Sequence, residues 1–253
     1  MSPCLLTPDE VKQYTRDGYL VLDDVFTFEE CELAYAMYQR YSAPDFRAIM
    51  NLYRGVVEYD GEVPRAVASE DIAHEIALIR NRTIVAALKD LQGAEVACLQ
   101  TMFLFKKARS PYAVQAWNPH QDNAYAQAAW GMYITGNIAL QDQDPENGCM
   151  YIFPGSHREP LLPAERMKSF HEDPGKNPGH KVEVPRRYEK VELHLRRGSV
   201  LFLHGNVIHG SYPNLSDRDR PMLLIPYITK GAEFIPGQRA KREPFPVYEG
   251  QIV

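Results

Sequence analysis

His120 and Asp122 stand at i and i+2 within Trp117-Asn118-Pro119-His120-Gln121-Asp122. On a strand this spacing sends both side chains from one face, so an imidazole and a carboxylate can converge on one ion. A second imidazole would complete the two-His, one-carboxylate set that holds non-haem Fe(II) and leaves coordination positions open. His209 is the candidate, because it closes the run Val200-Leu201-Phe202-Leu203, which reads as a strand, and Gly210 and Ser211 follow it. His204 is its rival. Five positions separate the two, so on a continuous strand they face opposite sides, and only His209 has Arg220 eleven residues further on. Arg220 opens a second apolar run that reaches Tyr227. A planar guanidinium held there can pair bidentately with a carboxylate. Arg218 lies between Asp217 and Asp219 in a stretch that reads as a turn and suits a solvated hairpin position. His74, His171, His180 and His194 have no partner at ligand spacing.

Further blocks accompany these residues: Asn147-Gly148 followed by Phe153-Pro154-Gly155-Ser156-His157, then Asn214 and Ser216 between His209 and Arg220, and Asp17-Gly18-Tyr19-Leu20-Val21-Leu22 near the start. A lone H-x-D is weak, but four blocks in this order are specific. Together they resemble the phytanoyl-CoA dioxygenase (PhyH-like) family of Fe(II)/2-oxoglutarate oxygenases, over about Thr7 to Tyr227. The resemblance implies Fe(II) held by His120, Asp122 and His209, with 2-oxoglutarate and O2 as co-substrates and the far carboxylate of the oxoacid on Arg220. It implies hydroxylation of an unactivated C–H bond of a small-molecule metabolite, with release of succinate and carbon dioxide. Alignment with the family places Met102, Asn137 and Ser211 at the co-substrate pocket. A Met on a strand is equally a core residue, and the family often carries a bulky aromatic where this chain has Asn137. His157 falls in a structural loop of the family. Lys106, Lys107 or Arg54 can supply a further cation, and nothing local selects one.

Desaturation, cyclisation or epoxidation would use the same iron, and the motif does not separate them from hydroxylation. Halogenating relatives look like members in which a small residue replaces the metal carboxylate, so Asp122 implies hydroxylation. Two other classes compete. A zinc or manganese hydrolase or isomerase on such a barrel would need no arginine at the Arg220 position, and a non-catalytic jelly-roll ligand-binding module would be expected to have lost a ligand. Trp117, Tyr125 and Trp130 bracket the metal motif as candidate substrate contacts, although aromatic residues also fill jelly-roll cores.

The elements that must position these residues follow from local signals. Thr7-Pro8-Asp9-Glu10 is a capping box with Pro at the first helical position, which predicts a helix from about Pro8 to Asp17 ended by Gly18. Tyr19 to Leu22 reads as a short strand, and Thr27-Phe28-Glu29-Glu30 opens a second helix with Cys31, Leu33, Ala34 and Met37 on its apolar face. A third helical stretch spans Ser69 to about Leu91, broken near Asn81-Arg82-Thr83 and stopped by Gly93. Beyond it come short β-rich runs: Cys98–Phe105, Tyr133–Leu140, Met150–Phe153, Val191–Leu195, Val200–Leu203 and Met222–Ile228. The expected fold is mostly β with supporting helices, a double-stranded β-helix (jelly roll, cupin-like). The stretch Ser110–Asn118 leads into the first ligands. Residues 161–187 are long and rich in Pro, Gly and charge, and are expected to form a lid over the barrel mouth.

Composition bounds the rest. At 253 residues and 45% hydrophobic content the chain can bury one sizeable core, so a single domain over residues 1–253 is expected. The net charge of -5, with no basic run beyond a dipeptide apart from the broken cluster Arg239, Lys241, Arg242, argues against a nucleic-acid partner. Cys4, Cys31, Cys98 and Cys149 are far apart and form no CxxC, which argues against structural zinc and a disulfide framework. No secretory leader and no run of roughly 20 apolar residues is present, so no membrane partner and a cytoplasmic location are expected.

Overall fold

The computed structural model describes residues 4–42, 48–57, 65–166, 179–237 and 242–248. Three of its helices begin where a side chain satisfies backbone groups that a helix terminus leaves unpaired. Thr7 caps Pro8–Asp17: its Oγ1 accepts from the Glu10 amide at 3.3 Å, while the Glu10 carboxylate accepts from the Thr7 amide at 2.7 Å. Gly18 ends that helix in the left-handed region at φ 82°, where a Cβ would press on the His157 ring. Thr27 and Glu30 repeat the box at Phe28–Tyr41. Asn81 interrupts the third helical stretch into Ser69–Ile79 and Arg82–Gln92, because its side-chain oxygen accepts from the amides of Thr83 and Ile84 and so starts a new helix.

The two larger antiparallel sheets form the jelly roll. In the larger one, Tyr19–Leu22, Val200–His204, Tyr133–Ala139 and Arg220–Thr229 lie side by side, and Met102–Lys106 and Val96–Cys98 pair with successive halves of Arg220–Thr229. The smaller sheet runs Val191–Glu192, Met150–Ile152, His209–Ser211, Trp117–His120. This is the expected jelly roll with helical support. The expected run Cys98–Phe105 divides in two, because Thr101 gives its amide to the Asn51 side chain and its hydroxyl accepts from the Asn51 amide.

Strand alternation decides which residues reach the site. Phe103, Phe105, Leu223 and Ile225 join the core under the helices, with Cys31, Met37 and Tyr38. Their neighbours Leu104, Met222 and Leu224 point the other way, into a second apolar cluster with Met150 and Ile152 from the small sheet. The space between the sheets is therefore lined by every second residue of Met102–Lys106 and Arg220–Thr229.

One acid sits beneath the helices. Glu75 is fully buried, accepting from the hydroxyls of Tyr38 and Thr101 at 2.9 and 2.8 Å and from the Tyr53 amide at 2.7 Å. Burial pushes its carboxyl up to about 7. A folded value above the unfolded one, about 4.3, means that the native state keeps a proton which the unfolded chain releases. The associated stability is complete below about pH 4.3 and is lost as pH rises through about 7, a difference on the order of 3 kcal/mol. Urea midpoints measured from pH 5 to 8 should therefore fall more steeply for the native chain than for Glu75→Gln. Equal slopes would show that Glu75 does not carry the effect.

Candidate metal centre

His120 closes the strand Trp117–His120, and His209 opens the strand His209–Ser211 directly opposite it. The two imidazole centroids are 4.4 Å apart. Asp122 does not continue the first strand, as the i, i+2 argument assumed. The chain turns after His120, and Asp122, in right-handed helical conformation, immediately precedes the short helix Asn123–Ala126 without a side-chain capping bond to it. That turn brings its Oδ1 to 3.5 Å from His120 Nε2 and 3.7 Å from His209 Nε2. One ligand atom from each of the three residues lies within 4.8 Å of the others.

The strand ending in His204 and the strand beginning at His209 also differ from the sequence reading, which joined them. They belong to different sheets, because the turn at Gly205-Asn206 carries the chain across the sandwich. His204 stays behind, its ring against Trp130 at 4.9 Å and His157 at 5.1 Å. Burial, then the neighbouring His157, holds its imidazole down at about 3.

Both triad imidazoles are oriented from behind. His120 Nδ1 lies 2.8 Å from the Asn118 carbonyl and His209 Nδ1 lies 3.1 Å from that of Val207. A carbonyl there requires Nδ1 to carry the proton, which leaves the Nε2 lone pairs facing Asp122. Burial pushes His209 down to about 4, so it is neutral at physiological pH. Burial alone would raise the Asp122 carboxyl, but His209, His120 and Arg242 together outweigh it and hold it below the usual range. Its Oδ2 is buried without a hydrogen-bond partner. A carboxylate with one orphaned oxygen, beside two lone pairs aimed at it, is a donor set suited to a divalent cation of N/O preference.

The cavity around the triad runs between the sheets. Met102, Leu104, Met150, Met222 and Leu224 give it apolar walls. Arg220 also lines it, 1% exposed, with Nε and Nη1 lacking any partner. Burial lowers its guanidinium to about 10, still charged at neutral pH. Arg218 faces the surface and donates to Asp144 at 2.7 Å.

Across from Arg220 stands Lys106, fully buried, donating to Ser211 Oγ at 2.8 Å and to the Tyr212 carbonyl. Burial, then the Arg220 charge, pushes its ammonium well below the usual range. Ser211, which accepts from Lys106, also lines the cavity. Of the three cations weighed in sequence, Lys106 is the one placed beside Arg220; Arg54 donates to the carbonyls of Leu99 and Glu243.

Among the other sequence candidates, Met102, Ser211, Trp117 and Tyr125 line the cavity. Asn137 is fully buried but spends its amide on Thr135 Oγ1 and the Leu201 carbonyl, both at 3.1 Å, and is not in the cavity wall. Trp130 is corrected. It is 58% exposed, donates to the His157 carbonyl at 2.7 Å, stacks on the His157 ring and is not in the cavity wall. Tyr133 takes a place in the wall instead. Period-two alternation from Met102 and Arg220 was the signal for Leu104, Met222 and Leu224. Arg242, another wall residue, gave no signal beyond belonging to a basic cluster. Of the expected lid, residues 167–178 lie outside the described residues; Ala164–Arg166 and His180–Val182 form a hairpin, and the His180 ring stacks on Tyr125 at 4.6 Å and 6°.

The chain is similar to known proteins over most of its length. The family model for phytanoyl-CoA dioxygenase matches residues 14–222. The mouse phytanoyl-CoA dioxygenase domain-containing protein 1 is 25% identical, covering 95% of this chain and 98% of its own length. Among solved structures, the epimerase SnoN in complex with Fe3+, alpha ketoglutarate and nogalamycin RO superposes with a TM-score of 0.69 at 22% identity, over 96% of this chain and 95% of that one. The non-heme alpha ketoglutarate dependent carbocyclase SnoK superposes with a TM-score of 0.67 at 20% identity, over 98% and 95%. Among the described residues, no helix is long and apolar enough to cross a membrane.

Proposed function

The chain belongs to the phytanoyl-CoA dioxygenase family, and on that footing we propose that it is an Fe(II)- and 2-oxoglutarate-dependent dioxygenase that hydroxylates an unactivated C–H bond of a small molecule. The observation that carries this reading is a buried N,N,O donor set sharing one cavity with a buried guanidinium that has unused N–H groups. His120, Asp122 and His209 would hold the iron. Arg220 would receive the far carboxylate of 2-oxoglutarate, with a hydrogen bond added by Ser211 and apolar contact by Met102. When bound, these groups supply oxidising power, as dioxygen is reduced while the oxoacid loses carbon dioxide and becomes succinate.

The chain's own part is binding, orientation and exclusion of water. The carbonyls of Asn118 and Val207 fix the imidazole tautomers, and Lys106 holds Ser211 in place. Trp117 and Tyr125 would flank the substrate. The whole chain would act as one catalytic domain, with the described part of the expected lid reaching the cavity wall through the contact of His180 with Tyr125. SnoN and SnoK, by their descriptions an epimerase and a carbocyclase, share the fold, so substrate placement over the metal decides the outcome.

Hydroxylation is favoured over halogenation because Asp122 would supply a carboxylate as the third protein ligand, where a small residue would leave room for chloride. The test is a screen of small metabolites for succinate release, followed by product mass in chloride buffer under labelled dioxygen. One oxygen atom from the gas in the product is expected. A chlorinated product would sink the reading, and a product two hydrogens lighter without added oxygen would replace it with desaturation.

A further inference from the structure

The cavity contains a second guanidinium for which the co-substrate leaves no role. Arg242 reaches the wall from the segment after Gly237, far in sequence from every other wall residue. It is fixed in place: its amide donates to the Pro236 carbonyl at 2.8 Å, and its Nη1 donates to the carbonyls of Tyr125 and Ile235 at 3.1 and 3.3 Å. Those bonds occupy one side of the planar fork. Its Nε, on the other edge, is buried and has no partner. A buried N–H of a charged group left unpaired is costly, and such a group persists where a ligand completes it.

Arg242 is also at the wrong end of the cavity to serve 2-oxoglutarate. Arg220 begins the long strand, opposite Lys106, while Tyr133 pairs with Ile228 near the other end of that strand. Arg242 is bonded to the carbonyls of Tyr125, in the short helix that follows Asp122, and of Ile235, beyond the end of that strand at Thr229. Charge counting gives the same answer. A divalent ion and a dicarboxylate cancel, and Asp122 offsets one of the two guanidinium groups. At least one positive charge is left over beside the aromatic rings of Tyr125 and Tyr133, before any charge on Lys106 is counted.

Resting on the oxygenase reading, we propose that the primary substrate carries an oxyanion, a carboxylate or phosphate, which pairs with the Nε edge of Arg242 while its apolar or aromatic body lies against Tyr125 and Tyr133. The guanidinium geometry suits either oxyanion, because both present two oxygens to a planar fork.

The test uses the full chain loaded with Zn(II) and 2-oxoglutarate, so that the Arg220 end is filled and no turnover occurs. A set of arylalkanoic acids, their primary amides, and phenyl phosphate is titrated by ligand-observed NMR. Acids or phenyl phosphate should bind at least about tenfold more tightly than the amides, the lower range for a hydrogen bond to a charged group. Arg242→Gln should abolish that preference, and Arg242→Lys, which keeps the charge, should retain part of it. Which oxyanion binds more tightly identifies the group. Equal binding of acids and amides, no anion bound at millimolar concentration, or a preference that survives in Arg242→Gln would overturn the proposal. A parallel titration of the metal-loaded wild type with 2-oxoglutarate separates the two readings. Failure to bind 2-oxoglutarate sinks the oxygenase reading, whereas normal 2-oxoglutarate binding without an oxyanion preference sinks only the role of Arg242.

Discussion

Removing any one of the three converging ligands should abolish stable metal binding. In His120→Ala, Asp122→Ala and His209→Ala, Fe(II) or Co(II) affinity is expected to fall by well over 100-fold, beyond the roughly 10–100-fold that loss of an outer-shell partner typically costs. The reason lies in the geometry. Oδ1 of Asp122 is 3.5 and 3.7 Å from the two Nε2 atoms, and each imidazole is held with its lone pair toward that point by a backbone carbonyl. Two donors cannot supply the facial set that fixes the ion and leaves adjacent positions open. The measurement is a Co(II) absorption titration, together with the visible charge-transfer band that a chelated Fe(II)–2-oxoglutarate complex gives. His204→Ala serves as the comparison, since His204 packs against Trp130 and His157. A band retained in His209→Ala and lost in His204→Ala would transfer the ligand role to His204.

Arg220→Ala should weaken 2-oxoglutarate binding by roughly 30-fold or more while metal binding survives. Truncating one partner of a buried, hydrogen-bonded charge pair costs about 2–5 kcal/mol, and about 1.4 kcal/mol is a factor of ten. Arg220 is 1% exposed, its Nε and Nη1 have no protein partner, and it remains charged at neutral pH. Its neighbour Lys106 cannot replace it, being committed to Ser211 and Tyr212, with burial disfavouring its ammonium. Arg220→Lys should also fail to restore affinity, because a single ammonium cannot reproduce the planar fork. Titration of the metal-loaded protein with 2-oxoglutarate gives the answer directly. Normal affinity in Arg220→Ala, with loss in the surface variant Arg218→Ala, would move the clamp to Arg218.

Much of the architecture was legible because its signals are local. The capping boxes at Thr7 and Thr27 and the terminators Gly18 and Gly93 act over three or four residues, so the helix bounds follow from the chain itself. Alternation along Met102–Lys106 and Arg220–Thr229 likewise assigns faces without reference to the rest of the fold. The break at Leu99–Thr101 was not legible, since it depends on Asn51, some fifty residues away, taking the Thr101 amide.

The site divides along the same line. The sequence by itself determined which residue types were available and in what order: His120 with Asp122, His209 before Gly-Ser, and Arg220 at the head of an apolar strand. Only the tertiary structure decided how they meet. Asp122 arrives by a turn and not along a strand, and His209 reaches His120 because the turn at Gly205-Asn206 moves the chain from one sheet to the other. The same long-range placement left Trp130 outside and put Arg242 in the wall. Distances between sheets are fixed by how two apolar faces pack, a sum over contacts distant in sequence, and no local pattern encodes that sum.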